Sequence, residues 1–265
     1  MADIKIDEKL DTFEFDELRM YFGEDYKVND YITLHQPSIQ EIIDFGEHRT
    51  YSSIMPFTGN PTSYRLQLWD MGIDWNKISD FELFIMLVQG MKKESTSLIF
   101  GDFDFSILQP FIKVDENGNQ SIVLAERPDN PQYEIDEFLY LHIREYIRDM
   151  FDQHPKVEKA KGKLTKEMII DEERMNLAIA QKKKDKVSRS FLLPLISAMV
   201  NHPGFKYKKN ELREIKIVEF MDSVKRLQIY ESTRALMSGM YSGMIDTSKM
   251  NLNKELNWLR DLHEK

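Results

Sequence analysis

From Phe220 to Lys265 the chain reads FMDSVKRLQIYESTRALMSGMYSGMIDTSKMNLNKELNWLRDLHEK, and the fold class follows from the first half of that stretch. Ile217, Phe220, Met221, Val224, Leu227 and Tyr230 recur at steps of three and four residues, the spacing that gathers side chains on one face of an α-helix. Asp222, Lys225, Arg226 and Glu231 fall largely on other faces. The spacing predicts the longest helix of the chain inside 211–237, ending before Gly239 and Gly243, where each glycine in a helix costs about 1 kcal/mol. A shorter helix is expected over 253–262, with Leu252, Leu256, Leu259 and Leu262 on one side and Trp258 beside them. The rest of the chain is expected to pack on this helical pair.

Working outward, the preceding segments keep the helical rhythm. Ser38 with Glu41 and Ser79 with Glu82 have the spacing of capping boxes, the first before Ile39, Ile42 and Ile43, the second before Phe84, Ile85 and Val88. Short helices are also expected over 15–21 and 64–71, and a long one over 135–151. Thr165 is read as the cap of a helix carrying Met168, Met175 and Ile179, and Ser190 as the cap of one over 191–200. Two β signals interrupt this pattern. Residues 26–34 read as short strands joined at Asn29-Asp30. Phe111–Val114 and Gln120–Leu124 flank Asp115-Glu116-Asn117-Gly118-Asn119, the strongest hairpin signal in the chain. Leu98–Phe105 is read as a strand with a tight turn, which makes 98–124 a β insertion. The expected class is mainly α (α+β): a helical protein with small β-hairpins near the N-terminus and in mid-chain. The expected division is an acidic, α-rich unit over 1–155 carrying the insertion, and a helical unit over 156–265 entered through a basic connecting segment.

The formal net charge is −9, and it is unevenly spread. Residues 1–50 hold thirteen acids against five Lys and Arg, a net −8, whereas 156–189 hold eleven Lys and Arg against six acids. A negative chain argues against duplex binding over its whole surface. Cysteine is absent, which excludes disulfides, Cys-ligated zinc, iron–sulfur clusters and thiol catalysis. The opening MADIKIDEKL has no apolar run of a secretory signal, and nowhere do eighteen apolar residues stand together, so no spanning helix is expected.

Catalytic patterns are sparse. There is no phosphate-binding G-K-[ST] loop, no G-x-G-x-x-G, no G-x-S-x-G and no H-E-x-x-H. Asp102 and Asp104 fall on one side of an extended segment, as a divalent-ion site needs, and as any wet strand edge also shows. His142 and Glu145 share a helix face but lack further ligands for zinc. These groups form the enzyme alternative, a metal-dependent hydrolase or nuclease. The preferred reading has no catalytic, cofactor or metal site. Two basic patches, Lys182, Lys183, Lys184 and Lys186, then Lys206, Lys208 and Lys209 in the run Phe205-Lys206-Tyr207-Lys208-Lys209, are the footprint of a nucleic-acid alternative. They equally suit a solvated helix end or a dock for the acidic arm over 1–50. Met237, Met240, Met244 and Met250, with Trp258, are the candidate protein-binding residues, since methionine adapts to irregular apolar partners.

Several stretches resemble tail-morphogenesis proteins of phages that infect Gram-positive bacteria: Leu66-Gln67-Leu68-Trp69-Asp70-Met71-Gly72-Ile73-Asp74-Trp75, Ile78-Ser79-Asp80-Phe81-Glu82-Leu83-Phe84, Tyr241-Ser242-Gly243-Met244-Ile245-Asp246 and Leu256-Asn257-Trp258-Leu259-Arg260-Asp261-Leu262. The resemblance implies a non-enzymatic virion assembly role, with a tail assembly chaperone as its first form. The partner would be a tape-measure or tail-tube protein, the place the host cytoplasm or the particle itself. A structural tail, baseplate or connector subunit is the runner-up, because the chain is longer than many such chaperones and carries the β insertion. A homo-oligomer is a further expectation from the apolar C-terminal helix pair.

Overall fold

The computed structural model describes residues 16–114, 118–183, 190–244, 248 and 250–262, with the backbone alone at 182 and 183. It is a mainly helical protein, 54% helix, with two small antiparallel β-hairpins where the sequence places them. The Asp16 carboxylate accepts from the Arg19 amide and starts α1 (Glu17–Tyr21). Strands β1 (Tyr26–Lys27) and β2 (Thr33–Leu34) pair antiparallel. Their turn is closed by the Asn29 side chain, which accepts from the amides of Tyr31 and Ile32 at 3.0 and 2.7 Å. From Asp16 onward the acidic segment is therefore part of the body rather than a free arm. Its remainder, 1–15, lies outside the described residues.

Helix α2 (Ile39–Phe45) opens on the expected Ser38–Glu41 capping box. Gly46, at φ +99, separates it from α3 (Glu47–Thr58). After α4 (Arg65–Asp70), the second capping box, Ser79 with Glu82, opens α5 (Asp80–Val88). The next element corrects the sequence reading. Leu98, Ile99 and Phe100 are not a strand but the end of helix α6 (Lys93–Phe100), followed by a 3-10 turn over Phe105–Ile107. Thr96, Ile99 and Phe100 are its buried set, a helical spacing that a short apolar run does not distinguish from a strand. The β segment thus begins at Gln109, with β3 (Gln109–Val114), β4 (Gln120–Ala125) and a short β5 (Glu134–Ile135) in the order β3-β4-β5.

Helix α7 (Glu137–Phe151), capped by Asp136, presents Tyr140, Ile143, Tyr146, Ile147 and Met150 to the interior. Around it pack Ile54 and Phe57 of α3, Phe81 and Phe84 of α5, Ile42 of α2, and Ile217 and Phe220 of α10 (Ile217–Tyr241). This core, not the C-terminal helix pair, is what the chain is built on, and it draws side chains from both sides of residue 155. A second cluster joins Leu66, Leu68, Trp75 and Leu83 to Ala160 and to Ile170 of α8 (Lys163–Lys183). Thr165 falls inside the first turn of α8 rather than capping it. Ser190, by contrast, accepts from the Leu193 amide at 2.8 Å at the head of α9 (Leu192–Asn201).

The C-terminal third also departs from expectation. A 3-10 turn occupies Glu211–Arg213, and α10 then runs 25 residues through Gly239 to Tyr241. Gly243, at φ +71, ends it: the Gly243 and Met244 amides donate back to the carbonyls of Met240 and Gly239 at 3.0 Å, the left-handed closure for which glycine is suited. Helix α11 is only Leu252–Glu255. The expected helix over 253–262 does not form beyond it, because tertiary partners take its carbonyls. Thr233 donates to Glu255, and the Arg226 guanidinium to Trp258 and Arg260.

Candidate protein-binding surface

Helix α10 changes environment along its length. Its first two turns bury Ile217, Phe220, Met221 and Val224 in the core. Over its middle the segment 252–262 folds back against it, with Tyr230 and Trp258 in edge-to-face contact at 5.6 Å. Past Thr233 no residue of the helix is buried. There Met237, Met240 and Tyr241, with Met244 just beyond, follow the spacing of one helical face. Tyr241 is 91% exposed and Met244 85%. The sequence-predicted methionines are therefore divided: Met237, Met240 and Met244 gather at the tip of α10, while Met250 is half-buried at the start of the returning segment. Trp258 is partly spent on Tyr230 and keeps 41% of its surface exposed.

A second apolar surface was not singled out from sequence. Helix α8 docks one side against α4 and the turn after it through Lys166 (bonded to Asp74), Ile169, Ile170 and Glu173 (bonded to Arg65), and carries Leu164, Met168, Met175 and Ile179 exposed. The Met168, Met175 and Ile179 spacing was visible. That Leu164 and Met168 face outward depends on which side of the helix the body covers, whereas Met175 and Ile179 lie where every residue from Arg174 to Gln181 is exposed.

The basic patches separate. Lys206, Lys208 and Lys209 are exposed. Beside them Phe205 and Tyr207 are half-buried, pack edge-to-face and lean on the main core. Tyr207 donates to the Glu219 carboxylate, which holds its phenol up at about 12. Neither ring is free to stack on a base. Lys182 and Lys183 close α8, and Lys184 and Lys186 lie outside the described residues.

The candidate metal residues do not converge. Asp102 is ion-paired to Lys93 at 2.7 Å, and Asp104 accepts from the Ser106 amide at 2.9 Å. His142 stacks on Tyr26 at 5.4 Å and hydrogen-bonds its phenol, and burial pushes its pKa down. Glu145 turns away to Arg144, at 2.5 Å. Among the described residues no group of three or more His, Asp or Glu side chains is placed to hold a metal ion. A cleft of about 550 Å³ brings Asp102 and Asp104 near Asp25, Asp30 and His35, but Asp25 is bound to His35 at 2.9 Å and Asp30 to Lys27 at 2.9 Å. Among the described residues no helix is long and apolar enough to cross a membrane.

No protein-family model matches this chain, and no curated protein and no solved structure matches it either.

Proposed function

We propose that this chain is a non-catalytic assembly protein that binds a helical partner through the tip of α10, in the manner of a phage tail assembly chaperone. The observation that carries the reading is the face of Met237, Met240, Tyr241 and Met244, which extends past the last burial of α10 and holds large apolar groups in water. Such a face would cover an apolar stripe on the partner and delay its self-association. Methionine suits this use because its unbranched thioether fits irregular surfaces. The tail-protein resemblance supplies the partner class, a tape-measure or tail-tube protein. A structural tail or baseplate subunit is the second reading, favoured by the apolar outer residues Ile112, Val114 and Ile122 of the β3-β4 hairpin, which suit a permanent interface.

Co-expression with the tape-measure and tail-tube proteins of the source genome, followed by purification at low and high salt, tests the proposal. The expected result is a complex that survives high salt, because apolar burial responds weakly to ionic screening, and that is lost in Tyr241→Asp/Met244→Asp without change in thermal stability. Recovery of nucleic acid alone, released by salt, would overturn it. Stoichiometric retention in the finished particle would select the structural reading.

A further inference from the structure

Between α7 and α8 the chain runs through a strap, residues 153–161, that belongs to no helix or strand. It is held from one side, at every second residue. The Asn60 side chain donates to the Lys156 carbonyl at 3.0 Å, and the Asn76 side chain to the Ala160 carbonyl at 2.7 Å. Between them the Thr62 hydroxyl serves both backbone groups of Glu158, accepting from its amide at 3.1 Å and donating to its carbonyl at 3.3 Å. A two-residue period is that of an extended chain, in which successive residues aim their amides and carbonyls to opposite sides. Lys156, Glu158 and Ala160 are therefore turned to the body, and Val157, Lys159 and Lys161 away from it. No backbone group of those three forms a hydrogen bond among the described residues. The strap is an edge strand without a neighbour, and its Val157 side chain is 70% exposed. Such an edge is a template for a further strand, and folded proteins cover or blunt it.

The charges along the strap say which strand fits. Lys156, Lys159, Lys161 and Lys163 are exposed, and the one acid among them, Glu158, is taken by Arg65 at 2.8 Å. Among the described residues no carboxylate pairs with Lys156, Lys159 or Lys161. Alongside runs a cleft of about 320 Å³ with Ile78, Leu141 and Val157 in its wall. An acidic strand with alternating apolar side chains suits this edge. Residues 1–15 have that composition: Asp3, Asp7, Glu8, Asp11 and Glu14 stand against Lys5 and Lys9, and Asp3-Ile4-Lys5-Ile6-Asp7 alternates charged with β-branched residues.

The place where that segment joins the body puts it within reach. Glu17 and Leu18, at the head of α1, line one cleft with Asp149 and Asp152 at the end of α7, where the strap sets out. Eleven residues from Asp16 back to Lys5 span about 36 Å when extended, whereas the seven from Asp152 to Lys159 span at most about 24 Å. A chain running back from Asp16 along the strap lies antiparallel to it. We infer that residues 3–7 pair antiparallel with 157–161 of the same chain and add a strand to the open edge. Val157 and Lys159 gain main-chain partners, Asp3 and Asp7 come alongside the strap lysines, and Ile4 and Ile6 cover Val157 and the cleft.

Amide exchange in the full chain reads this pairing directly. The Val157 and Lys159 amides are expected to exchange roughly tenfold or more slowly than open amides, equally at low and high protein concentration. Ile6→Pro, which removes a strand amide, and Asp3→Lys/Asp7→Lys should each return them to the open rate, while the amide of Ile147 in the core of α7 keeps its protection. Because the chain has no cysteine, Lys5→Cys offers a single thiol for a nitroxide, which is expected to broaden the resonances of 157–161. Free exchange of Val157 and Lys159 in the parent would overturn the inference, as would protection that Ile6→Pro leaves untouched. Protection that grows with concentration would assign the edge to a second copy, and broadening confined to other elements would seat residues 3–7 elsewhere. Either result would also overturn it.

Discussion

The backbone amide of Ile39 donates to the carbonyl of Ile215 at 3.0 Å, and the amide of Ile217 returns a bond to the carbonyl of Pro37 at 2.9 Å. These bonds flank a bridge between Ser38 and Lys216 and fasten the head of α2 to the head of α10. Ile39 and Ile217 are both buried at that seam. Two segments far apart in sequence therefore begin their helices from one shared piece of backbone pairing.

One consequence concerns cooperativity. Phe220 is fully buried one turn along α10, in the same core as α3, α5 and α7. Phe220→Ala is expected to cost about 3–5 kcal/mol through lost burial and the cavity left behind. Urea denaturation followed by tryptophan fluorescence and by circular dichroism should show one coincident, shifted transition. Separate transitions by the two probes would show that the halves unfold independently.

The capping boxes give a smaller, local effect. The Ser79 hydroxyl accepts from the Glu82 amide at 3.1 Å, and the Glu82 carboxylate accepts from the Ser79 amide at 2.7 Å. Ser79→Ala should lower stability by about 1 kcal/mol. Ser79→Asp, which keeps an acceptor at the cap, should recover most of it. Equal losses in both variants would remove the cap as the cause.

Acid sensitivity is expected to reside partly at Glu41. Burial pushes its carboxyl up, but hydrogen bonds from the Ser38 amide and hydroxyl, with Lys216 and His35 close by, carry it down to about 2. A depressed folded-state value means that the contribution is complete above about 4.5, the unfolded value, and is lost as pH falls toward about 2. Its size is limited because the side chain remains partly exposed to solvent. Glu41→Gln should be less stable than the parent at pH 6, with the gap closing by pH 2. A gap independent of pH would locate the effect in packing.

Arg148 is the buried charge on which the end of α3 depends. Its guanidinium donates to the carbonyls of Phe57 at 3.2 Å and Gly59 at 2.7 Å, and lies 3.6 Å from Asp80. Arg148→Met keeps the apolar stem and leaves those carbonyls without their donor. A loss of about 3 kcal/mol is expected, since breaking a buried pair on one side strands the other. Asp80 stays paired with Arg144 at 2.7 Å, which keeps the loss toward the low end. A loss below about 1 kcal/mol would mean that water replaces the guanidinium. Chemical denaturation at neutral pH measures it.

Local chemistry was legible wherever its cause was local. The Ser38 and Ser79 boxes, the hairpin turn held by Asn29, the β3-β4 pairing and the first turns of α10 each depend on residues within a few positions of one another. Periodicity, capping geometry and turn propensity act at that range, and they are written in the sequence. The same is true of the absence of cysteine.

Other features required the assembled molecule. Ile99 and Phe100 end a helix rather than start a strand because α3 and the Phe105 turn receive them, and a short apolar run does not encode its neighbours. Residues 256–262 do not form a helix because Arg226 takes the carbonyls of Trp258 and Arg260. Met168 is surface because α4 covers the opposite side of α8, and Tyr207 is not a stacking platform because Glu219 holds its phenol. Sequence determined which segments could be helices and strands, since those free energies are summed over adjacent residues. Only tertiary structure decided which face of each is buried, since that free energy comes from contacts between residues the chain keeps far apart.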